Sequence, residues 1–182
     1  MDGLESHTMA DMIYYYSYEN IHQTLAELAQ RMRADGLKFD CMVAIGSGGY
    51  IPSRILKTYL ECPIFSVTVA HYSDTLRGKI SREPKVIQWL SADETALRGK
   101  RVLLVDEIDD TRSTLAFCSR RLLDQDGLAD VTIAVLHNKR KEKVAQIPEG
   151  VRYYAGGEID DHWVIYPWEA ADIAEHLRRS RE

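Results

Sequence analysis

Short apolar runs and segments of helical periodicity alternate along the chain. The apolar runs, typical of strands buried on both faces, are Cys41–Ile45, Ile64–Val69, Val102–Val105 and Val131–Leu136. A helix is predicted to begin at Ser17, a capping residue, and to end at Asp35 and Gly36. Further helices are predicted at about 52–59, at 113–124 and at the end of the chain. This alternation predicts an α/β fold, in which helices flank a parallel sheet and ligands bind at the carboxyl ends of its strands.

Length and composition are those of one globular domain. The chain has 182 residues, of which 45% are hydrophobic and 28% are charged. We expect a single domain over residues 12–182, and we expect residues 1–11, which carry no periodic signal, to be disordered. The net charge of −5 disfavours broad binding to nucleic acid or to anionic membranes. Neither a signal peptide nor a membrane-spanning apolar run is recognisable, so the cytoplasm is the expected compartment.

The three cysteines, Cys41, Cys62 and Cys118, are odd in number and show no C-x-x-C spacing. Cys41 begins an apolar strand and Cys118 lies in a predicted helix. Buried thiols are therefore expected rather than disulfides or metal ligands.

Candidate chemistry is concentrated between Val102 and Thr114. The apolar strand is followed by the acids Asp106, Glu107, Asp109 and Asp110, and then by a hydroxyl-rich segment that opens a helix. Carboxylates at a strand end can accept hydrogen bonds from sugar hydroxyls or hold a cation. Hydroxyl side chains and the free N–H groups of a new helix can bind a phosphate. The pattern predicts a phosphorylated, polyhydroxylated ligand; the alternative is a loop with incidental surface acids.

This run resembles the phosphoribosyl-pyrophosphate (PRPP) signature of the type I phosphoribosyltransferases: an apolar strand, two acids, two further residues, Asp-Thr, a small residue and Ser/Thr-Thr. It departs once, because Arg112 stands where that family usually has Gly. The resemblance implies that Asp106 and Glu107 hold the ribose hydroxyls and Mg²⁺, with Glu107 the stronger metal candidate. It also implies that Asp110 is catalytic, taking up the N7 proton of a purine as N9 attacks. The other expected PRPP-binding residues of this run are Asp109, to which no particular contact is assigned, Thr111, Arg112, Ser113 and Thr114.

A glycine-rich turn, Gly46-Ser47-Gly48-Gly49, follows the first buried strand. It is not a dinucleotide fingerprint, because Ile51 stands where the third glycine would be. A strand–turn–helix unit can direct backbone N–H groups at an anion, although it can also be a mere packing turn. In the family that the signature resembles, this loop binds the pyrophosphate of PRPP, often through a non-proline cis peptide at the Ser47–Gly48 position. Ser47, Gly48 and Gly49 are therefore expected PRPP contacts, with Ser47 replacing the Lys or Arg common in the purine enzymes.

The stretch between His71 and Pro84 is polar and has no strong period, which predicts a long mobile loop. Ser81–Val86 resembles the segment after the hood loop of bacterial xanthine–guanine phosphoribosyltransferases. The resemblance implies that Arg82 contacts pyrophosphate; a solvated surface arginine is the alternative.

The segment Glu158–Glu169 resembles the base-binding segment of the 6-oxopurine phosphoribosyltransferases. The resemblance implies that Trp163 stacks on the purine and that backbone groups around Val164 and Ile165 read the purine edge. Lys139 matches the lysine that donates to the 6-oxo group, which would select hypoxanthine, guanine or xanthine against adenine. The alternatives are a core aromatic for Trp163 and a solvated basic run for Lys139.

The resemblance runs from about Ser17 to Glu169 and implies a purine phosphoribosyltransferase, a glycosyltransferase of the pentosyl class with a small hood. It would convert a 6-oxopurine and PRPP to the nucleoside 5′-monophosphate and pyrophosphate in purine salvage, with Mg²⁺, as a homodimer or homotetramer. Two alternatives stay open. One is a phosphoribosyltransferase for another base, such as orotate or adenine. The other is a non-catalytic regulator that binds PRPP or a nucleotide on the same fold, which the presence of Asp110, Lys139 and Trp163 disfavours.

Overall fold

The computed structural model describes residues 13–74, 79–91, 97–124 and 128–182, without the side chains of residues 71–74 and 79–83. The segment 1–11, expected to be disordered, lies outside the described residues. The strands are β1 (Ile13–Tyr15), β2 (Cys41–Gly46), β3 (Ile64–Asp74), β4 (Lys79–Gln88), β5 (Arg101–Asp109), β6 (Asp130–Lys139), β7 (Arg152–Ile159) and β8 (Trp163–Ile165). The helices are α1 (Tyr18–Ala34), α2 (Tyr50–Leu60), α3 (Ser113–Leu123) and α4 (Ile173–Arg179), with a 3-10 turn at Pro167–Glu169.

Six strands form the central sheet, in the order β4-β3-β2-β5-β6-β7. All neighbours are parallel except β3 and β4, which are antiparallel. Successive residues of β5 point to opposite faces: Leu103 packs in the core with α1 and α2, and Leu104 in the core with α3. Because both faces are covered, the four residues of β5 between Arg101 and Asp106 are all apolar. The predicted fold class is confirmed.

Helix α1 has the ends that its sequence predicts. The Ser17 hydroxyl accepts a hydrogen bond from the N–H of Asn20 at 3.1 Å, and the side-chain oxygen of Asn20 accepts one from the N–H of Ser17. The helix ends at Ala34, followed by Asp35 as its C-cap and by Gly36 at a φ of 74°.

The polar stretch between His71 and Pro84 is mainly strand, so the predicted long loop is wrong. β3 continues to Asp74 and β4 begins at Lys79, with residues 75–78 outside the description. The two strands pair through their backbones, for example Ser73 with Ile80. Because β4 lies at the sheet edge, its side chains need not be apolar, and Pro84 is tolerated there.

A second, two-stranded sheet, here called the hood, pairs β1 with β8 in parallel, Ile13 opposite Trp163 and Tyr15 opposite Ile165. The hood is joined to the C-terminal helix, where the Nε2 of His176 lies 2.9 Å from the carbonyl oxygen of Tyr16. Within the described part of the chain, no helix is long and apolar enough to cross a membrane.

All three cysteines are buried free thiols, as expected. Burial raises the pKa of the Cys41 thiol to about 11 and that of Cys118 to about 12. These thiols are therefore protonated and inert near neutral pH.

Candidate active site

Two adjacent acids stand at the carboxyl end of β5, in the middle of the sheet. Asp106 is buried, with 8% of its surface exposed, and its carboxylate accepts a hydrogen bond from the N–H of Glu107 at 3.0 Å. Burial, and next the negative charge of Glu107, raise the pKa of Asp106 well above its usual value. Two crowded carboxylates of this kind form a site that a cation or several hydroxyl donors would stabilise.

The glycine-rich turn packs directly against these acids. A side chain on Gly48 would overlap the carboxylate of Glu107, and one on Gly49 would overlap the carbonyl oxygen of Val105. Only glycine therefore lets the turn approach β5 this closely. The cis peptide lies at Gly46–Ser47, so the predicted position at Ser47–Gly48 is wrong by one bond. The Ser47 side chain is exposed, and the loop contributes no charged side chain.

The hydroxyl-rich segment forms the N-terminal end of α3. Residues 106–115 line a cavity of about 390 Å³. Thr111, Ser113 and Thr114 are partly exposed there, with the Thr111 hydroxyl donating to the Ser113 hydroxyl at 3.2 Å. An open cavity with hydroxyls at a helix N-terminus suits a phosphate.

Asp109 and Arg112, which also belong to the lining of this cavity, pair with each other. The Asp109 side chain has no exposed surface and pairs with the guanidinium of Arg112, whose Nε lies 2.9 Å away. The Asp109 carboxylate is occupied by this pair, whereas 21% of the Arg112 side chain is exposed, and PRPP binding by the two residues stays a prediction. Arg112 adopts a φ of 69°, a conformation that explains why glycine is usual at this position.

Lys139, at the end of β6, meets the candidate catalytic acid. Its ammonium lies 3.5 Å from Asp110 and 3.3 Å from Asp161, and the residue is only 8% exposed. The solvated-run alternative is therefore wrong for Lys139, although it describes its neighbour Arg140, whose side chain is 57% exposed.

Lys141 is a second cation in this cluster, and the sequence interpretation missed it together with Asp161. Its ammonium lies 2.8 Å from Asp110 and 3.0 Å from Asp161. The hydrogen bond to Asp110 raises the pKa of Lys141, and the hydrogen bond from Lys141 lowers that of Asp161. Lys141 lies in a bend just beyond β6, where its N–H donates to the carbonyl oxygen of Lys139 at 2.9 Å, and its closeness to Lys139 in the sequence was the available signal.

Trp163 stands at the start of β8 in the hood and is 66% exposed. The core-aromatic alternative is therefore wrong, and the indole face is open to a partner. Val164 and Ile165 follow it, partly buried, with backbones paired to β1.

A buried tyrosine connects the hood to the acid pair. The Tyr166 hydroxyl lies 2.8 Å from Nδ1 of His137 and donates to the carbonyl oxygen of Glu107 at 3.4 Å. Burial, and next the neighbouring His162, lower the pKa of His137 to about 4, so this imidazole is neutral near pH 7. Neither residue carried a sequence signal beyond its aromatic character.

The structure thus brings together the acid pair, the glycine turn, the hydroxyl segment, Asp110 and Lys139. The backbone of Arg82 lies in β4, and its side chain is outside the described residues. Among the residues that the structure describes, no group of three or more His, Cys, Asp or Glu side chains could hold a metal.

A parallel sheet, an acid pair and a loop of residues 109–114 that suits a phosphate, here called the phosphate loop, are the arrangement expected of a phosphoribosyltransferase. The phosphoribosyl transferase domain family matches residues 15–152, and the chain belongs to this family. It is therefore an enzyme of the pentosyltransferase class. Its relatives place it in the purine branch, as the sequence resemblance predicted.

The chain is 36% identical over 189 residues to the hypoxanthine-guanine phosphoribosyltransferase of Schizosaccharomyces pombe, an alignment that covers 89% of this chain and 91% of that protein. It is 34% identical over 192 residues to xanthine phosphoribosyltransferase 1 of Saccharomyces cerevisiae, with coverage of 89% and 92%. Among solved structures, a hypothetical protein from Neisseria gonorrhoeae with bound ppGpp is 45% identical. It superposes with a TM-score of 0.88 over 96% of this chain and 98% of that chain.

Proposed function

We propose that this enzyme transfers the phosphoribosyl group of PRPP to a 6-oxopurine in purine salvage, releasing pyrophosphate and forming a nucleoside 5′-monophosphate. The observation that carries the proposal is the position of Lys139. Its buried ammonium lies 3.5 Å from Asp110 of the phosphate loop and 3.3 Å from Asp161, which precedes the exposed Trp163. A fixed cation between a sugar-phosphate site and an aromatic face suits a base with an acceptor oxygen.

PRPP would bind across the carboxyl ends of β2 and β5. The hydroxyls of Thr111, Ser113 and Thr114 and the N-terminal end of α3 would hold its 5′-phosphate. Ser47, Gly48 and Gly49 would place backbone N–H groups near its pyrophosphate. The contact of the carboxylate of Glu107 with Gly48 supports this, because it puts the turn beside the ribose acids.

Mg²⁺ fits the acid pair. Asp106 and Glu107 supply two crowded carboxylates, and Mg²⁺ usually takes one or two carboxylates together with water and phosphate oxygens. The bound ion would neutralise charge that develops on the leaving pyrophosphate. Arg82 would add a further positive charge from β4.

At the base end, Lys139 would donate to the 6-oxo group, Trp163 would stack on the ring, and backbone groups of Val164 and Ile165 would read the far edge. In the reaction, the bond from C1′ to the pyrophosphate oxygen breaks and a bond from C1′ to N9 forms. Asp110 would take up the proton that the purine loses, and the pyrophosphate would leave with its electron pair.

Two alternatives are less well supported. A phosphoribosyltransferase for adenine would not need an ammonium at the position of Lys139, because an amino group cannot accept its hydrogen bond. A non-catalytic regulator would not need Asp110, whose side chain is 45% exposed at the cavity.

A second ligand is suggested by the Neisseria relative, which holds ppGpp. We propose that ppGpp binds to this chain at the same site, its guanine at Lys139 and Trp163 and its phosphates at the loops. Inhibition that is competitive with PRPP would support this, and inhibition unaffected by PRPP concentration would exclude a shared site.

The assembly and compartment are proposed more simply. The enzyme would act as a homodimer or homotetramer, with small molecules as its substrates, in the cytoplasm, where three free thiols can persist. Light scattering of the purified protein measures the assembly directly.

A panel of nucleoside monophosphates tests the proposed function. A ligand at 100 times its Kd stabilises a protein by about 2.7 kcal/mol, which a thermal-unfolding assay detects easily. We expect GMP, IMP or XMP to raise the Tm more than AMP or orotidine monophosphate at equal concentration. A larger shift with AMP or orotidine monophosphate would contradict the assignment of the base.

A further inference from the structure

A lysine outside the recognised signature holds the back of the phosphate loop. The Lys143 ammonium donates to three backbone carbonyls: those of Asp109 at 2.7 Å, Lys139 at 2.8 Å and Asp110 at 3.0 Å. Its side chain is 11% exposed. The Lys143 ammonium therefore connects the loop after β5 to the end of β6, where Lys139, the proposed base-recognising residue, lies.

The next residue extends this attachment. The N–H of Val144 donates to the carbonyl oxygen of Thr111 at 3.1 Å. Three successive carbonyls, those of residues 109, 110 and 111, thus face the segment Lys143–Val144. Because C=O and N–H point in opposite directions across a trans peptide, the N–H groups of residues 110, 111 and 112 face the other way. Successive N–H groups on one side of a turn form an anion-binding concavity.

A buried charge cluster supports the same loop. The Asp109 carboxylate accepts hydrogen bonds from Arg112 and from the Tyr153 hydroxyl, each at 2.9 Å, and lies 3.6 Å from the Lys143 ammonium. The Arg112 guanidinium also lies over the Tyr153 ring, 4.9 Å from its centre. Two cations and one carboxylate leave this cluster with a net positive charge.

This arrangement does more than fix a turn. Burying charges is costly, and an apolar cluster would hold a loop equally well. Burial lowers the pKa of Lys143, and the Asp109 carboxylate opposes that shift. Both the direction of the carbonyls and the net charge favour an anion on the opposite side of the loop, where the hydroxyls of Thr111 and Ser113 stand.

We propose that Lys143 is a positioning residue for the phosphate end of the ligand, held in place by Asp109, Arg112 and Tyr153. This rests on the proposed function, since the anion in question is the 5′-phosphate of PRPP or of the nucleotide product. Lys143 touches the loop and not the ligand. Its loss would let the carbonyls of residues 109 and 110 turn towards the phosphate.

The test compares the two substrates of one enzyme. Lys143→Met keeps the length of the side chain and removes its charge, and Lys100→Met, just before the opposite end of β5, is the matched control. We expect Lys143→Met to raise KM for PRPP and Kd for GMP about tenfold, the loss typical of a charged hydrogen-bond donor, while KM for guanine changes less than about twofold. The control should change none of these values.

Tyr153→Phe is the milder variant, and it decides the matter if Lys143→Met does not fold. It removes one donor from Asp109 and should raise KM for PRPP about threefold without changing KM for guanine, since one neutral hydrogen bond is involved. Wild-type protein that neither binds GMP nor consumes PRPP would refute the proposed function. If wild-type protein binds GMP and consumes PRPP, the proposed function stands. In that case, folded variants whose KM values for PRPP and guanine change equally, or do not change, would refute only the role of Lys143.

Discussion

Replacing Arg112 by glycine restores the residue that is usual in the family signature, and the structure predicts that this destabilises the protein. Arg112 has a φ of 69°, a conformation that costs an L-residue about 1–2 kcal/mol and costs glycine almost nothing. From backbone conformation alone, Arg112→Gly should therefore stabilise the fold. Loss of the ion pair with Asp109 lowers the stability of the same variant.

The loss of that ion pair is the larger effect. Two guanidinium nitrogens lie 2.8 and 2.9 Å from one oxygen of a carboxylate that has no exposed surface. Removing one partner of a buried pair costs about 3–5 kcal/mol. The Tyr153 hydroxyl and the Lys143 ammonium remain near Asp109, so we place the loss at about 2–3 kcal/mol. The backbone relief is about 1 kcal/mol, because glycine loses more conformational entropy on folding than other residues, so Arg112→Gly should be about 1–2 kcal/mol less stable than wild type.

Urea unfolding at 25 °C measures these differences. Arg112→Ala loses the same ion pair but keeps the unfavourable φ, so it should be about 1 kcal/mol less stable than Arg112→Gly. In an Asp109→Asn background the cost of Arg112→Gly should shrink, because the buried charge is gone. An Arg112→Gly variant more stable than wild type would refute the claim that the ion pair outweighs the backbone cost.

Three further predictions concern the reaction and the stability of the fold. Asp110→Asn should lower kcat about 10²–10⁴-fold with little change in PRPP affinity, as steady-state kinetics would show; an equal loss in both would mark a binding residue. Lys139→Ala should erode the preference for 6-oxopurines over adenine, and Trp163→Ala should weaken every purine without changing their ranking. The values of kcat/KM for four bases test both, and an unchanged ranking in Lys139→Ala would remove Lys139 from the site. The pKa of His137 is about 4 in the folded protein, below its unfolded value of about 6.5. Between these two pH values the unfolded state binds more protons than the folded state. The free energy of unfolding should therefore fall as the pH is lowered from 7, by up to about 3 kcal/mol at pH 4. Unfolding measured from pH 7 to pH 4 should show this loss, and a His137→Gln variant that keeps the same slope would contradict it.

The sequence predicted the central sheet because its strands are buried on both faces, which leaves continuous apolar runs such as that of β5. It failed for the second half of β3 and the first half of β4, where strand pairing depends on backbone groups near a sheet edge and the sequence is polar. The family resemblance implied a small hood, but no periodic pattern indicated its two strands. β1 and β8 have three residues each and are far apart in the chain, so neither has a period of its own.

The candidate site was predictable where polar or charged side chains directly follow an apolar strand. Asp106, Glu107 and Lys139 lie at the carboxyl ends of adjacent strands, as a parallel sheet requires. The burial of Asp109 was not predictable, because the sequence of the four acids between residues 106 and 110 does not indicate which carboxylate is buried. Lys143 and Tyr153, its partners across the loop, lie more than thirty residues away in sequence.

The central claim is that a PRPP site and a 6-oxopurine site meet at Asp110 and Lys139. The direct measurement is the initial rate of nucleoside monophosphate formation from PRPP and Mg²⁺ with guanine, hypoxanthine, xanthine, adenine or orotate as the acceptor. We predict that at least one 6-oxopurine is converted with a kcat/KM well above those of adenine and orotate, and that pyrophosphate appears in equal amount. Preferred conversion of adenine or orotate, or no conversion of any base by folded protein, would contradict the account.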